Sequence, residues 1–174
     1  EYIISGLSLM LGRLRQGDMI ECDGYRGRVS SLGYRSTMIE TLDGSIIAFQ
    51  NSQLFNKNFR NMTRNHKFEC VKVEVGISYG TDVERARKII LETLATQPFL
   101  SKVKKTSVVL DSFGDSAVNL GVWVWVPVMT KSSSLSSVRE HIYHAFNEHG
   151  ISIPFPQQDL YVKEFPGGAP VQGT

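Results

Sequence analysis

The apolar positions change period along the chain. Over residues 1–15 they fall at helical spacing, with Ile3, Leu7, Met10, Leu11 and Leu14 on one face and Ile4 and Leu9 widening it. The spacing predicts an amphipathic helix. Gly6 and Gly12 each cost such a helix about 1 kcal/mol against Ala, and both let another helix approach closely. Over residues 17–64 the runs become short and strand-like, at 19–23, 25–31, 34–41 and 45–49. Asp23-Gly24 and Asp43-Gly44 separate neighbouring runs, and such pairs tolerate the positive φ of tight hairpins. Gly17, Gly27 and Gly33 predict bulges or sharp bends in a small, strongly curved all-β unit. So few residues bury little core, and the unit leans on its neighbours.

A third pattern starts at residue 68. Val71, Val73, Val75 and Ile77 alternate along a strand. Thr81 followed by Glu84 reads as a capping box for a helix buried through Val83, Ala86, Ile89, Ile90 and Leu94, with Pro98 beyond its end. Residues 107–112 read as a strand, Gly114-Asp115 as a turn, and 117–126 as a longer strand. That strand is apolar on both faces and therefore central. The Ser-rich stretch 132–137 leads into a second helix, buried through Leu135, Val138, Ile142, Ala145 and Phe146, with Gly150 at C′. Residues 159–164 are the last strand. The order is β-α-β-β-α-β, a ferredoxin-like arrangement. The Gly- and Pro-rich tail 166–174 has no period.

Composition narrows the function. The 174 residues are 41% apolar, with 19 basic and 17 acidic side chains and a net charge of +2. That is an ordinary globular balance. It lacks the concentrated basic field of most nucleic-acid-binding surfaces and has no polybasic run for an anionic membrane. No segment reaches the ~20 apolar residues of a membrane-spanning helix, and no signal peptide is evident. The chain opens at Glu1 within an apolar run, which reads as a cut with something N-terminal removed. Cys22 and Cys70 each lie in a strand-like run and read as buried free thiols.

Candidate chemistry is sparse. His141 and His144 are neighbours on one helix face, but neither they nor His66 and His149 have further ligands at metal-site spacing. Glu84 and Lys88 read as an i, i+4 surface pair. No nucleophile elbow, Walker loop or dinucleotide fingerprint occurs, so nothing points to an enzyme or a cofactor. Trp123 and Trp125 share one face of the central strand, and base stacking could use them. That strand carries no Lys or Arg, and tryptophans there read as core or helix-facing. A soluble RNA-binding module is the alternative reading.

An ordered series of short motifs adds a resemblance. Gly17-Asp18, Gly27-Arg28-Val29, Gly33, Ser36-Thr37, Asp43-Gly44, Asn51-Ser52, Asn61 and Arg64 are followed by Pro154-Phe155-Pro156-Gln157 and Asp159. Together with Ser5-Gly6 opening an apolar helix ahead of Arg13 and Arg15, the series resembles the small-conductance mechanosensitive channel (MscS) family over nearly the whole chain. Gln50 departs from it, standing where the family usually has Pro.

The resemblance implies an α+β fold: an N-terminal amphipathic helix, a small Sm-like β barrel, then a ferredoxin-like βαββαβ domain. The implied divisions are 1–16, the end of a pore-flanking helix; 17–66; 67–165; and a tail, 166–174. It implies the cytoplasmic vestibule of a tension-gated channel that releases ions and small solutes on osmotic downshock. The implied assembly is a homo-heptamer in the cytoplasmic membrane of a prokaryote, joined to that membrane by helices ahead of Glu1, with no nucleic-acid partner. Leu7, Met10, Leu11 and Leu14 would then face a helix or lipid, because the small barrel offers that stripe little to cover.

Overall fold

The computed structural model describes residues 12–65 and 67–156. Leu7, Met10, Leu11, His66, Gln157, Asp159 and the expected strand 159–164 lie outside them. The first sheet holds β1 (Met19–Cys22), β2 (Tyr25–Leu32), β3 (Ser36–Thr41), β4 (Ile46–Gln50) and β5 (Arg60–Asn61), in the order β4-β3-β2-β1-β5, all antiparallel. The second holds β6 (Phe68–Ile77), β7 (Ser107–Phe113) and β8 (Val118–Pro127), in the order β6-β8-β7. The described residues also form three α-helices: α1 (Asn51–Asn56), α2 (Val83–Ala95) and α3 (Lys131–Glu148).

Short turns link neighbouring strands of the first sheet. Asp23 and Gly24 both take positive φ, 53° and 79°, which fits the twist of the β1–β2 hairpin. The loop of Leu42, Asp43 and Gly44 is different, since only Gly44 is left-handed, at 84°. Gly44 N donates to Thr41 O at 3.0 Å and Thr41 N to Ser45 O at 2.9 Å. The Thr41 hydroxyl and the Ser45 N–H both donate to the Asp43 carboxylate. The bulge expected at a glycine lies instead at Ser30, where the β2–β3 register shifts between Val29 and Ser31. Gly27 serves a different purpose. A Cβ there would sit 2.5 Å from the Glu40 carbonyl oxygen, so glycine lets β2 and β3 close up. Leu14, Ile20, Cys22, Val29, Ile39, Phe49 and Leu54 form the core. This unit is not all-β: α1, starting directly after β4, supplies Leu54. A six-residue helix is too short to leave a periodic trace in sequence.

Among the described residues the second unit follows the expected order as far as its second helix. Val118, Leu120, Val122, Val124 and Val126 of β8 point towards α2 and α3, which bury Ala86, Ile89, Ile90, Leu94, Val138, Ile142, Ala145 and Phe146 against them. β8 is central, as its apolar content predicted. The alternation that buries those five residues turns Trp123 and Trp125 to the opposite face, and Trp123 is 40% exposed. The tryptophans are therefore not helix-facing. Cys70, the cross-strand partner of Trp125, shares that face and is exposed, whereas Cys22 is buried.

Three helix details also differ from expectation. Asp82, not Thr81, caps α2, accepting from Glu84 N at 2.9 Å and Arg85 N at 3.2 Å. Glu84 thus falls one position too early to close a capping box. It pairs with Arg87 rather than Lys88, and Lys88 pairs with Glu92. The serines at 132–137 lie inside α3, not ahead of it. At the far end of α3, Gly150 takes φ 66°. Ile151 N donates to Phe146 O at 2.8 Å and Gly150 N to Asn147 O at 3.3 Å, a Schellman stop sealed by the buried Ile151.

Candidate functional site

One set of the motif residues gathers where the N-terminal segment joins the first sheet. Gly12 and Arg13 are in π-helical backbone, and the chain leaves it at Leu14. Leu14 is fully buried in the β core, so it plugs its own chain's sheet and presents no apolar face to a partner helix or lipid. Beside it, the Arg13 guanidinium lies 4.9 Å above the Phe55 ring of α1 and donates to the Phe55 carbonyl at 3.4 Å.

Asp18 is the node of this junction. Gly17, at φ 92°, turns the chain. Gly17 N donates to Val29 O and Val29 N to Asp18 O, both at 2.8 Å, fixing the turn to β2. The Asp18 carboxylate accepts from Arg15 N at 2.9 Å, from Asn61 Nδ2 at 2.7 Å and from the Thr63 hydroxyl at 3.4 Å. The Asn61 amide also reaches Arg13 O at 3.3 Å. Its carbonyl accepts from Thr63 N at 3.2 Å and Arg64 N at 3.1 Å. One carboxylate and one amide thus tie residues 13–15 to residues 61–64, and the bonds that end on the Asp18 carboxylate are charge-assisted, roughly twice as strong as neutral ones.

A second motif cluster holds the other end of the sheet. Thr37 and Asn51 are both buried. The Thr37 hydroxyl donates to Asn51 Oδ1 at 2.8 Å, Asn51 Nδ2 donates to Gly33 O at 2.7 Å, and Asn51 N donates to Arg35 O at 2.8 Å. Gly33 N donates to Ser36 O at 2.9 Å, closing the β2–β3 turn. Asn51 so fixes α1 to that turn. Gln50, just before it, has φ −66°, the value a proline ring imposes. Further along the chain, Pro154 is half-buried next to Gly76, and Phe155 is 82% exposed.

Sequence reasoning missed one further cluster, which joins the two sheets. The Glu69 carboxylate at the start of β6 receives both arms of Arg26 from β2, one at 3.3 Å, and Lys131 from the first turn of α3 at 3.2 Å. Burial alone would raise this carboxyl. The hydrogen bonds and charges of Arg26 and Lys131 outweigh it and hold Glu69 below the ordinary glutamate value. Nothing in the sequence marks these three, which lie 43 and 62 residues apart.

Among the described residues no group of three potential metal ligands occurs, and no helix is long and apolar enough to cross a membrane. The site's chemistry is that of a joint.

Residues 1–64 match the family described as the mechanosensitive ion channel beta-domain, and residues 71–153 match the mechanosensitive ion channel MscS C-terminal domain. The chain belongs to the MscS family. A family protein of Archaeoglobus fulgidus, of uncharacterised function, is 33% identical over 91% of this chain and 56% of its own length. A large-conductance mechanosensitive channel of Methanocaldococcus jannaschii is 30% identical over 92% of this chain and 47% of its own. The crystal structure of Helicobacter pylori MscS in its closed state superposes with a TM-score of 0.80 at 28% identity, covering 94% of this chain and 65% of that one. The chain spans about half the length of these curated MscS relatives.

Proposed function

We propose that this chain is the cytoplasmic vestibule segment of a membrane-tension-gated channel that passes ions and small solutes on osmotic downshock. It acts as one subunit of a homo-heptameric ring in the cytoplasmic membrane of a prokaryote. Residues 1–16 end the pore-flanking helix, 17–66 form the ring-building β unit, 67–165 form the vestibule wall and 166–174 are a tail. Leu7, Met10 and Leu11 face a neighbouring helix or lipid.

The observation that carries this reading is the Asp18–Asn61 tie. A β unit that must bear load from a membrane helix needs its incoming segment fixed to more than one strand. Here that segment is bonded to β2 and β5 and, through Asp18, to the chain just beyond β5.

The RNA-binding alternative gains the exposed Trp123. However, Lys72 on the same face crosses Gly121 to meet Asp111 at 2.6 Å and also pairs with Glu74. Two carboxylates and one neutralised lysine make a poor phosphate-binding surface.

The test is survival of osmotic downshock by a bacterial strain stripped of its own tension-gated channels and expressing the whole protein that contains this chain. Survival restored above the empty-vector level supports the proposal. Survival unchanged despite membrane expression opposes it, and salt-dependent RNA binding would then favour the alternative.

A further inference from the structure

Lys57, Lys72, Lys88 and Lys131 each meet a carboxylate. Lys67, Lys102, Lys104 and Lys105 meet none among the described residues, and the last three lie within one short stretch of chain. Lys102 donates to the Gln97 carbonyl at 3.1 Å, Lys104 lies 5.2 Å from the centre of the Trp125 ring, and Lys105 has no acceptor. No acidic residue occurs between Glu92 and Asp111.

These lysines rim a cleft of about 420 Å³ between the last turn of α2 and the loop that follows it. That size lies in the range of small-molecule sites, about 300–1,000 Å³. Its apolar lining is Leu91, Leu94, Ala95 and Leu100, beside the polar Gln97, Ser101 and Thr106. The Gln97 carbonyl, just beyond the end of α2, satisfies Lys102. Lys104 and Lys105 meet no counter-charge among the described residues.

We infer that this cleft binds a small soluble organic anion: a phosphate or carboxylate head held by Lys102, Lys104 and Lys105, on a short apolar body seated over Leu91 and Leu100. The two halves of the cleft select the two halves of the ligand. An inorganic anion would leave the leucines wet, and a neutral apolar molecule would leave the charge unbalanced. The inference stands apart from the channel proposal and is read by direct binding, so the failure of one does not decide the other.

The experiment is amide-shift NMR on the full 174-residue chain, with hexyl phosphate as probe and inorganic phosphate and 1-hexanol as its separate halves. Saturable shifts confined to residues 91–106, with a Kd below about 1 mM, are expected. Each half-probe, and the whole probe on Lys102→Gln/Lys105→Gln, should bind at least about tenfold more weakly, since the loss of even one charge-assisted contact costs about that much. Shifts that scatter over other lysines, fail to saturate or persist unchanged in the double variant overturn the inference. Binding to phosphatidylglycerol vesicles without binding to hexyl phosphate overturns it in favour of a membrane surface.

Discussion

Asn61 donates its side-chain amide to the Asp18 carboxylate at 2.7 Å across 43 residues of sequence. Around that bond the turn at Gly17, the backbone of Arg13 and the chain beyond β5 are all fixed. Replacing Asn61 with Ala removes a donor shared by Asp18 and Arg13 and an acceptor shared by two backbone N–H groups. The expected loss is about 1–3 kcal/mol, read as a lower urea midpoint. Asn61→Asp should cost more than Asn61→Ala, because it faces Asp18 with a second negative charge. The reverse order would mean that the bond contributes little.

Thr37 and Asn51 carry the other polar tie, and both are buried. Thr37→Val keeps the shape but leaves the Asn51 carbonyl without its donor, at a cost of about 1–3 kcal/mol. Thr37→Ser keeps the hydroxyl and should lose about 1 kcal/mol or less. Equal losses in thermal melts of the two variants would show that the methyl, not the hydrogen bond, matters.

Gly27 has no room for a side chain, with a Cβ placed 2.5 Å from both Glu40 O and the Ile39 side chain. Gly27→Ala should therefore force β2 and β3 apart at a cost of about 1–3 kcal/mol. By contrast, Gly12→Ala meets nothing within 4 Å and should leave the melting temperature within about a degree or raise it slightly. A Gly27→Ala variant as stable as the parent would refute the close approach.

Glu69 makes the coupling between the sheets pH-dependent. Its carboxyl is held below the ordinary glutamate value, which is about 4.3 in an unfolded chain. Its stabilisation is therefore complete above that value and is lost as pH falls through the lower, folded pKa. Glu69→Gln should destabilise the chain by about 1–3 kcal/mol at neutral pH. The gap between parent and variant in urea midpoint should then narrow below about pH 4. A gap that stays constant with pH would remove Glu69 from this role.

Much of this was legible in the residues. The alternation from Val71 to Ile77 and the stripe from Val83 to Leu94 place β6 and α2, because period alone decides the buried face of long elements. Asp23-Gly24 gave the first hairpin for the same local reason. The tryptophan face was misread because apolar residues on both sides of β8 leave period unable to choose between them. Burial of Val122, Val124 and Val126 made the choice. Leu14 fits a helical stripe equally well, and only the end of the π-type turn at Arg13 sends it into the β core. The motif residues were individually legible. Their grouping around Asp18 and Asn51 was not, since it depends on contacts 14 to 48 residues apart.

The joint between the incoming segment and the β unit is tested most directly by patch recording of the whole protein under graded suction, parent against Asn61→Ala. The account predicts stepwise currents that rise with tension in the parent. In the variant it predicts the same unit conductance with a shifted tension threshold. Parent patches silent at every tension short of rupture, or a variant with an unshifted threshold and a lowered urea midpoint, would contradict it.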